Sequence, residues 1–243
     1  MSRLLIWDLP TRLFHWLFAF AFVLAYILGE EDDWLGWHTY FGYLVGGLVL
    51  FRLVWGFAGG HFSRFSNFPP NPAGAWEYLK SLAAGTGSRH LGHNPAGALA
   101  IYALLFLGLA TALSGLALLG ADKGLGPLAG MVSPRWEDGF KEVHEFCANT
   151  MLAVVVLHIA GVIVGSLAHG ENLASAMVTG YKEGQGGEVP HVKRATAVAV
   201  LVLAGVMVFT VLHDFSGGCG ENPGACAKEA HHKNGHDGDH DDH

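Results

Sequence analysis

Five apolar stretches constrain the fold of this chain more than any other feature. Each is long enough to span about 30 Å of hydrocarbon, which takes roughly 17–25 helical residues. They cover residues 12–29, 35–57, 96–120, 143–168 and 195–213. The composition agrees, because 51% of the 243 residues are apolar and only 14% are charged. The sequence therefore predicts an all-α integral membrane protein, in which four transmembrane helices form a bundle and a fifth follows.

The chain divides into three predicted regions. Residues 1–182 form the four-helix membrane domain, residues 183–213 a linker and the fifth helix, and residues 214–243 a flexible tail. The first helix is interpreted as retained rather than as a signal peptide, because acidic residues follow it without the small residues of a cleavage site. Asp8 and Pro10 mark its start, since proline is tolerated in the first turn of a helix.

Basic residues predict the orientation, because short cytoplasmic segments are enriched in Lys and Arg. The connection between spans two and three and the connection between spans four and five carry Arg52, Arg64, Lys80, Arg89, Lys182, Lys193 and Arg194. The acidic turn at residues 30–33 then faces the opposite side. This pattern predicts a multi-pass membrane protein with a cytoplasmic N-terminus and a tail on the outer side, which in a bacterium means the inner (cytoplasmic) membrane and a periplasmic tail.

The tail is acidic and rich in histidine. From residue 213 onward it has seven acidic residues and two lysines, so it carries most of the formal net charge of −7. Alternating His and Asp can bind zinc, nickel or copper weakly, but a solvated acidic segment explains the same composition. Cys219 and Cys226 flank a short turn on the oxidising side, which predicts a disulfide between them.

Four histidines lie within or at the edge of the apolar spans, where a polar side chain is costly and is a functional candidate. They are His15, His38, His144 and His158. A lone histidine near a helix end is more often an interfacial hydrogen-bonding residue than a metal ligand. The argument for ligation therefore depends on the relative positions of the four.

His144 and His158 share one face of the fourth span. Their separation of 14 residues falls about 40° short of four full turns and is a rise of roughly 21 Å. Because successive spans run in opposite directions, His38 is level with His144 and His15 is level with His158. The two pairs predict two separate metal-type sites. Bis-histidine ligation of two haems fits this arrangement, although geometry alone does not name the cofactor.

An ordered series of motifs resembles a known family. The motifs are WDLPTRLFHW at 7–16, HTYFGYLVGGLVLFRLVWGF at 38–57, RF at 64–65, LGHNPAGA at 91–98, VHEF at 143–146 with LH at 157–158, and ENLASAMVTGYK at 171–182. Together they are similar to the bacterial membrane cytochromes b, which include the cytochrome b-561 proteins and the cytochrome b subunits of nickel-iron hydrogenases. The resemblance covers about residues 4–182.

The resemblance implies a four-helix core with two non-covalent b-type haems. It implies His15 and His158 as the axial ligands of one haem iron, and His38 and His144 as those of the other. It further implies that the protein connects the membrane quinone pool to a periplasmic redox partner, such as a hydrogenase or a c-type cytochrome. The sequence has no C-x-x-C-H motif, so a covalently attached haem is not expected.

Three arginines lie near the expected cytoplasmic haem edge and are candidates to bind its propionates. They are Arg12, Arg52 and Arg64. The cytoplasmic bias of basic residues explains the same three positions equally well. His93 lies in the LGHNP turn, which is predicted at the cytoplasmic surface before the third span, and it is a weaker candidate for contact with a propionate or a quinone.

Two other functional classes stay open at this point. A transition-metal ion transporter would use the buried histidines as a path and the His-rich tail as a collector, but these spans lack the mid-membrane carboxylates and repeated halves usual in such transporters. A haem-binding assembly or sensor subunit would need no turnover. The preferred interpretation is an electron-transfer subunit, and whether it is itself a quinol/quinone oxidoreductase is open. No nucleic-acid partner is expected, and a homodimer is neither predicted nor excluded.

Overall fold

The architecture comes from a computed structural model that describes residues 2–29 and 32–184, together with Val198, Ala199, Val202 and Gly205. The rest of the predicted fifth span lies outside the described residues. So do the tail and the predicted disulfide.

Within the described ranges, four helices are long and apolar enough to cross a membrane. The elements in chain order are β1 (Ser2–Leu5), α1 (Leu9–Leu28), α2 (Leu35–Ala58), α3 (Pro72–Ala83), α4 (Pro95–Asp122), α5 (Glu137–His169), α6 (Leu173–Thr179) and β2 (Tyr181–Gly184). Short 3-10 turns occupy Asp32–Trp34, His61–Ser63, Phe65–Asn67 and Pro134–Trp136. The prediction of a helical membrane bundle is confirmed, and α1, α2, α4 and α5 match the first four predicted spans.

Helix starts follow the sequence signals closely. Asp8 and Asn94 cap α1 and α4, because each side chain accepts a hydrogen bond from a backbone N–H in the first turn. A proline lies in the first turn of both helices, where the missing N–H would have no partner. Helix α5 ends at Gly170, which adopts φ 60°, a left-handed conformation that glycine tolerates best.

The closest helix packing joins α1 to α2, α2 to α4 and α4 to α5. The shared core includes Leu48 and Val49 of α2 together with Met151 of α5, none of which has exposed surface. Among the described residues, α5 makes no comparably close backbone approach to α1 or α2. Helix α5 therefore meets α1 and α2 through side chains, which leaves room between these helices.

The strand pair and helices α3 and α6 were not predicted. Strands β1 and β2 pair antiparallel, with Ser2 opposite Gly184 and Leu5 opposite Tyr181, and α3 interrupts the connection between α2 and α4. The strand pairing joins the segment before α1 to the segment after α5. Both segments lie at one end of the bundle, as expected because the chain crosses the membrane four times between them.

Asp8 ties that end of the bundle together. Its carboxylate accepts hydrogen bonds from Thr11 N at 2.9 Å, Ser63 Oγ at 2.7 Å, Trp55 Nε1 at 3.2 Å and Gly60 N at 3.3 Å. One side chain thus caps α1 and fixes the end of α2 and the turn that follows it.

We expect Asp8→Ala to lower the free energy of unfolding by about 3 kcal/mol. The change removes a helix cap worth about 1 kcal/mol and leaves partly buried donors without an acceptor, at about 1–3 kcal/mol each. Asn71→Ala is the matched control, because Asn71 caps only α3 through Gly74 N. Thermal unfolding in detergent measures both, and equal losses of stability in the two variants would contradict the assignment.

Candidate functional site

The structure brings the four intramembrane histidines together as two pairs. His15 of α1 faces His158 of α5, with ring centroids 6.4 Å apart. His38 of α2 faces His144 of α5, with ring centroids 5.8 Å apart. All four side chains are half-buried. Helix α5 therefore contributes one histidine to each pair.

The two pairs lie at different depths along α5. His144, Met151 and His158 are spaced seven residues apart, so they follow one stripe of the helix. The rise between the two histidines is about 21 Å, which is most of the hydrocarbon thickness. The fully buried side chain of Met151 lies between them. The pairs are thus two sites and not one cluster.

The ring separations suit a metal ion bound between two imidazoles. With a metal–nitrogen bond of roughly 2 Å, the two coordinating nitrogens lie about 4 Å apart. The rest of each measured separation is taken up by the rings, whose centres lie behind the coordinating nitrogens. Each pair can therefore place one metal ion between its rings with small adjustments.

Backbone carbonyls orient the rings of the His38/His144 pair. The carbonyl of Ala25 lies 2.7 Å from His38 Nδ1, and the carbonyl of Thr111 lies 2.9 Å from His144 Nδ1. A carbonyl only accepts, so both Nδ1 atoms carry the proton and donate. In the neutral form of each ring, Nε2 then carries no proton, which is the state of a histidine prepared to bind a metal.

Two glycines allow these ring positions. A Cβ atom on Gly115 would lie 2.9 Å from His144 Cε1, and a Cβ on Gly29 would lie 2.9 Å from His38 Nδ1. Real Cβ atoms essentially never approach other heavy atoms so closely. Glycine at both positions therefore gives each imidazole the space in which its Nδ1 reaches the carbonyl.

The His15/His158 pair is held differently. His15 Nδ1 is buried with no hydrogen-bond partner among the described residues, and its ring packs edge-on against Trp16. Buried polar nitrogens are rarely left without a partner. An unpartnered nitrogen here is consistent with a ring whose position is completed by a bound group.

A cavity of about 1050 Å³ opens beside the His38/His144 pair. Its wall includes both of these histidines and Gly42 and Gly46 of α2, whereas His15 and His158 are not part of it. Gly42 has no atom within 4 Å of the position a Cβ would take. Val198, Ala199, Val202 and Gly205, the described residues of the predicted fifth span, also line it. The cavity is at the upper limit of the range for bound organic ligands, about 300–1,000 Å³.

The donor set is too small to hold a bare metal ion. Across residues 2–29 and 32–184, no three His, Cys, Asp or Glu side chains cluster as a metal site would require. A metal ion held by two imidazoles alone needs further ligands from another group. A tetrapyrrole would supply those further ligands, and the two histidines of each pair would hold its metal ion.

The three predicted arginines occupy different environments. Arg52 is 3% exposed, and its guanidinium lies over the Phe65 ring at 4.9 Å, with Nη1 buried and unpartnered among the described residues. Arg12 donates from Nη1 to the carbonyl of Val178 at 3.0 Å, while its Nε is likewise buried without a partner. Arg64 is exposed and donates to the carbonyl of Gly59.

His93 lies deeper than the surface turn predicted for it. Its ring packs against Trp7 at 4.6 Å and Phe68 at 4.2 Å between ring centroids. Burial lowers the pKa of His93 to about 3, and the positive charges of Arg52 and Lys182 act in the same direction. His93 is therefore neutral at physiological pH. Trp7 and Phe68 are the residues that bury His93, but they lie far from it in the sequence, so no local pattern indicates the burial.

The comparison with known families matches this architecture. Residues 6–180, well over half of the chain, match the family model described as prokaryotic cytochrome b561. The chain belongs to the prokaryotic cytochrome b561 family. It is accordingly a multi-pass bacterial membrane cytochrome of the b type, with a role in electron transfer. Family membership favours the electron-transfer interpretation over the metal-ion transporter.

Curated relatives carry a related name. A probable Ni/Fe-hydrogenase B-type cytochrome subunit from Azotobacter vinelandii is 26% identical over 212 residues, covering 73% of this chain and 87% of the relative. A protein of the same description from Cupriavidus necator is 25% identical over 210 residues, covering 73% and 86% respectively. No solved structure matches the chain.

Family membership implies haem b, and the residues present fit it. Each pair supplies two imidazoles and, among the described residues, no third protein ligand, and Nε2 is the nitrogen left for ligation in the neutral His38 and His144 rings. The cavity beside that pair is apolar and lined with glycine, as a flat macrocycle requires. The buried, unpartnered guanidinium nitrogen of Arg52 matches a cofactor that carries carboxylates.

We expect Gly115→Ala to reduce the haem bound per chain, because the added Cβ displaces the His144 ring. Alanine is the better helix former by about 1 kcal/mol, so the variant should keep its fold. Gly36→Ala is the matched control, since no atom lies within 4 Å of a Cβ at that position. Pyridine haemochrome assays of the purified proteins measure the effect. Full haem content in Gly115→Ala would show that the ring position does not depend on this glycine.

Proposed function

We propose that this chain is a dihaem cytochrome that relays electrons across the bilayer between the quinone pool and a periplasmic redox partner. In this proposal, His15 and His158 are the axial ligands of one haem iron, and His38 and His144 are those of the other. The observation that carries it is the presence of two facing histidine pairs at two depths, joined by one helix. One site alone would not cross the membrane.

The haem irons supply reversible one-electron oxidation and reduction when bound. The protein itself makes and breaks no bond in this mechanism. Its residues hold the imidazoles, keep water from the sites and set the charge around them, which together tune the reduction potentials. The carbonyls of Ala25 and Thr111 fix the rings of His38 and His144 and raise their basicity as metal ligands, because each Nδ1 donates a hydrogen bond.

The two sites have different surroundings, and this supports different potentials. The His38/His144 rings are both hydrogen-bonded through Nδ1, whereas His15 Nδ1 has no such partner among the described residues. Hydrogen bonds to axial ligands and nearby charge both shift a haem potential. The two pairs of residues would therefore give the haems they hold different reduction potentials.

A hydrogenase is the partner best supported by the relatives, whose names describe cytochrome subunits of Ni/Fe hydrogenases. A c-type cytochrome in the periplasm is the second candidate. The proposed orientation places the N-terminus in the cytoplasm, because the connections that carry most basic residues lie at the end of the bundle where β1 and β2 pair. The His38/His144 site then faces the periplasmic partner, and the fifth span returns the tail to the periplasm.

Arg52 is the arginine best placed to bind a haem propionate. It lies 14 residues after His38, as His158 lies 14 residues after His144, so Arg52 and His158 are at similar depth. A charge with an unpartnered nitrogen in a membrane interior is costly unless an anion approaches it. Arg12, with its buried unpartnered Nε, is the second candidate, and exposed Arg64 is the weakest of the three.

We expect His158→Ala and His38→Ala each to remove one haem and to leave the other in place. The reason is that each substitution deletes a ligand of one pair only. His169→Ala is the matched control on α5, because His169 ends the helix and contacts Tyr78 at 3.4 Å instead of another histidine. Haem content and reduced-minus-oxidised spectra measure the result. Loss of both haems from either variant in a folded protein, or loss from neither, would contradict two independent sites.

We expect Arg52→Gln to lower the midpoint potential of the haem at His15/His158 by tens of millivolts. Removing a nearby positive charge favours the oxidised state, and about 59 mV corresponds to a tenfold change in a one-electron equilibrium. Arg64→Gln is the control, because its guanidinium is exposed and screened by solvent. Potentiometric titration distinguishes them. An unchanged potential in Arg52→Gln would show that Arg52 has no electrostatic role at the haem.

A further inference from the structure

Helix α3 has an apolar face that no described part of the chain covers. Trp76 is 63% exposed and Leu79 is 47% exposed, and Ala83 is exposed beside them. These residues are three and four positions apart, so they form one stripe along the helix. Together the exposed tryptophan and leucine form an apolar patch on this 12-residue helix, in contrast to single apolar residues scattered over a surface.

The other two sides of α3 face the protein and water. Ala75 and Tyr78 are buried against the protein at 4% and 7% exposure, and Tyr78 Oη contacts His169 Nε2 at 3.4 Å. Glu77 and Lys80 are solvated and form an ion pair at 2.6 Å. At 100° per residue, the buried stripe and the exposed apolar stripe are centred about 100° apart. Helix α3 thus has one side toward the protein, one toward water and one apolar side left over.

The position of α3 indicates what covers that apolar side. The helix lies between the end of α2 and the start of α4, and Tyr78 contacts the last residue of α5. All three membrane-crossing helices therefore reach the bilayer boundary at the level of α3. At the same end, Phe57 of α2 and Leu167 of α5 are each 78% exposed, as lipid-facing side chains are. The apolar side of α3 is at the depth where this lipid-facing surface ends.

We infer that α3 is an interfacial helix that lies in the boundary between lipid headgroups and acyl chains at this end of the bundle, with Trp76 and Leu79 inserted into the bilayer. Tryptophan is favoured at that depth because its ring is apolar and its N–H is polar. Lys80 lies next to the apolar stripe and can extend its ammonium group to lipid phosphates while its methylenes stay in the boundary.

Interfacial anchoring would also fix the segment that follows the first two spans. Tyr78 packs edge-on against His90, with ring centroids 5.5 Å apart, in the segment that leads into α4. A helix held in the bilayer surface on one side and bonded to α5 on the other restricts the movement of this segment. Membrane attachment of α3 would therefore stabilise this end of the bundle.

Spin labelling tests the inference in the full chain. Four variants, Trp76→Cys, Leu79→Cys, Glu77→Cys and Lys80→Cys, are each made in a chain whose Cys147, Cys219 and Cys226 have been replaced. Each variant is labelled with a nitroxide and reconstituted into phosphatidylethanolamine/phosphatidylglycerol nanodiscs. Power saturation then compares collisions with oxygen, which concentrates in the bilayer, and with a water-soluble nickel chelate. A sample under nitrogen gas, without either collision reagent, gives the relaxation that bound haem contributes to each label, and this value is subtracted. Circular dichroism confirms that each labelled chain is folded.

The inference predicts a severalfold higher oxygen-to-nickel collision ratio at positions 76 and 79 than at the control positions 77 and 80. If all four labels collide mainly with nickel, α3 lies in water and the inference is wrong. If labels at 76 and 79 are shielded from both reagents, another protein surface covers the stripe, and the inference is equally wrong. Neither outcome depends on electron transfer, so the test is independent of the proposed function.

Discussion

The cost of placing an imidazole in a bilayer governs this structure. A polar ring in hydrocarbon must use both of its nitrogens, because no water is available to satisfy them. For His38 and His144 the protein satisfies Nδ1 with a backbone carbonyl, and both side chains line an apolar cavity. The Nε2 atoms then require a partner that the described residues do not provide. Under the proposed function, a bound haem would be that partner.

Much of the helix arrangement follows from presenting those rings. Helix α5 repeats the same stripe after 14 residues, so a single helix serves two sites at two depths. It packs closely on α4 but meets α1 and α2 through side chains, and the histidine pairs lie across those wider gaps. Tyr26 of α1 bonds to Asn149 of α5 at 2.7 Å, between the levels of the two sites. This side-chain hydrogen bond links α1 and α5 across the gap between them.

The membrane bundle and the histidine combinations could be predicted from the sequence, since both depend on helical periodicity and hydropathy. The supporting contacts could not. Any residue has a backbone carbonyl, so nothing in the sequence distinguishes Ala25 or Thr111 as an acceptor. Gly115 could be noted only as a position of close approach, and its relation to His144 required the packing of α4 on α5.

Short elements escaped prediction for a similar reason. Helix α3 has only 12 residues, and its apolar stripe is limited to Trp76, Leu79 and Ala83, so its periodicity is weak beside that of the long spans. Strands β1 and β2 are four residues each and pair across nearly the whole described chain, which no local pattern reveals. The burial of His93 has no local sequence signal, because its enclosing aromatic rings come from two other segments.

Under the proposed function, the two histidine pairs bind two haems that conduct electrons in series. A potentiometric titration of the purified chain, monitored by its visible spectrum, tests this if haem and protein are quantified in the same sample. We expect two b-type haems per chain and a titration with two one-electron components of different midpoint potential. A single haem per chain, or a colourless protein that binds zinc or nickel stoichiometrically, would contradict it.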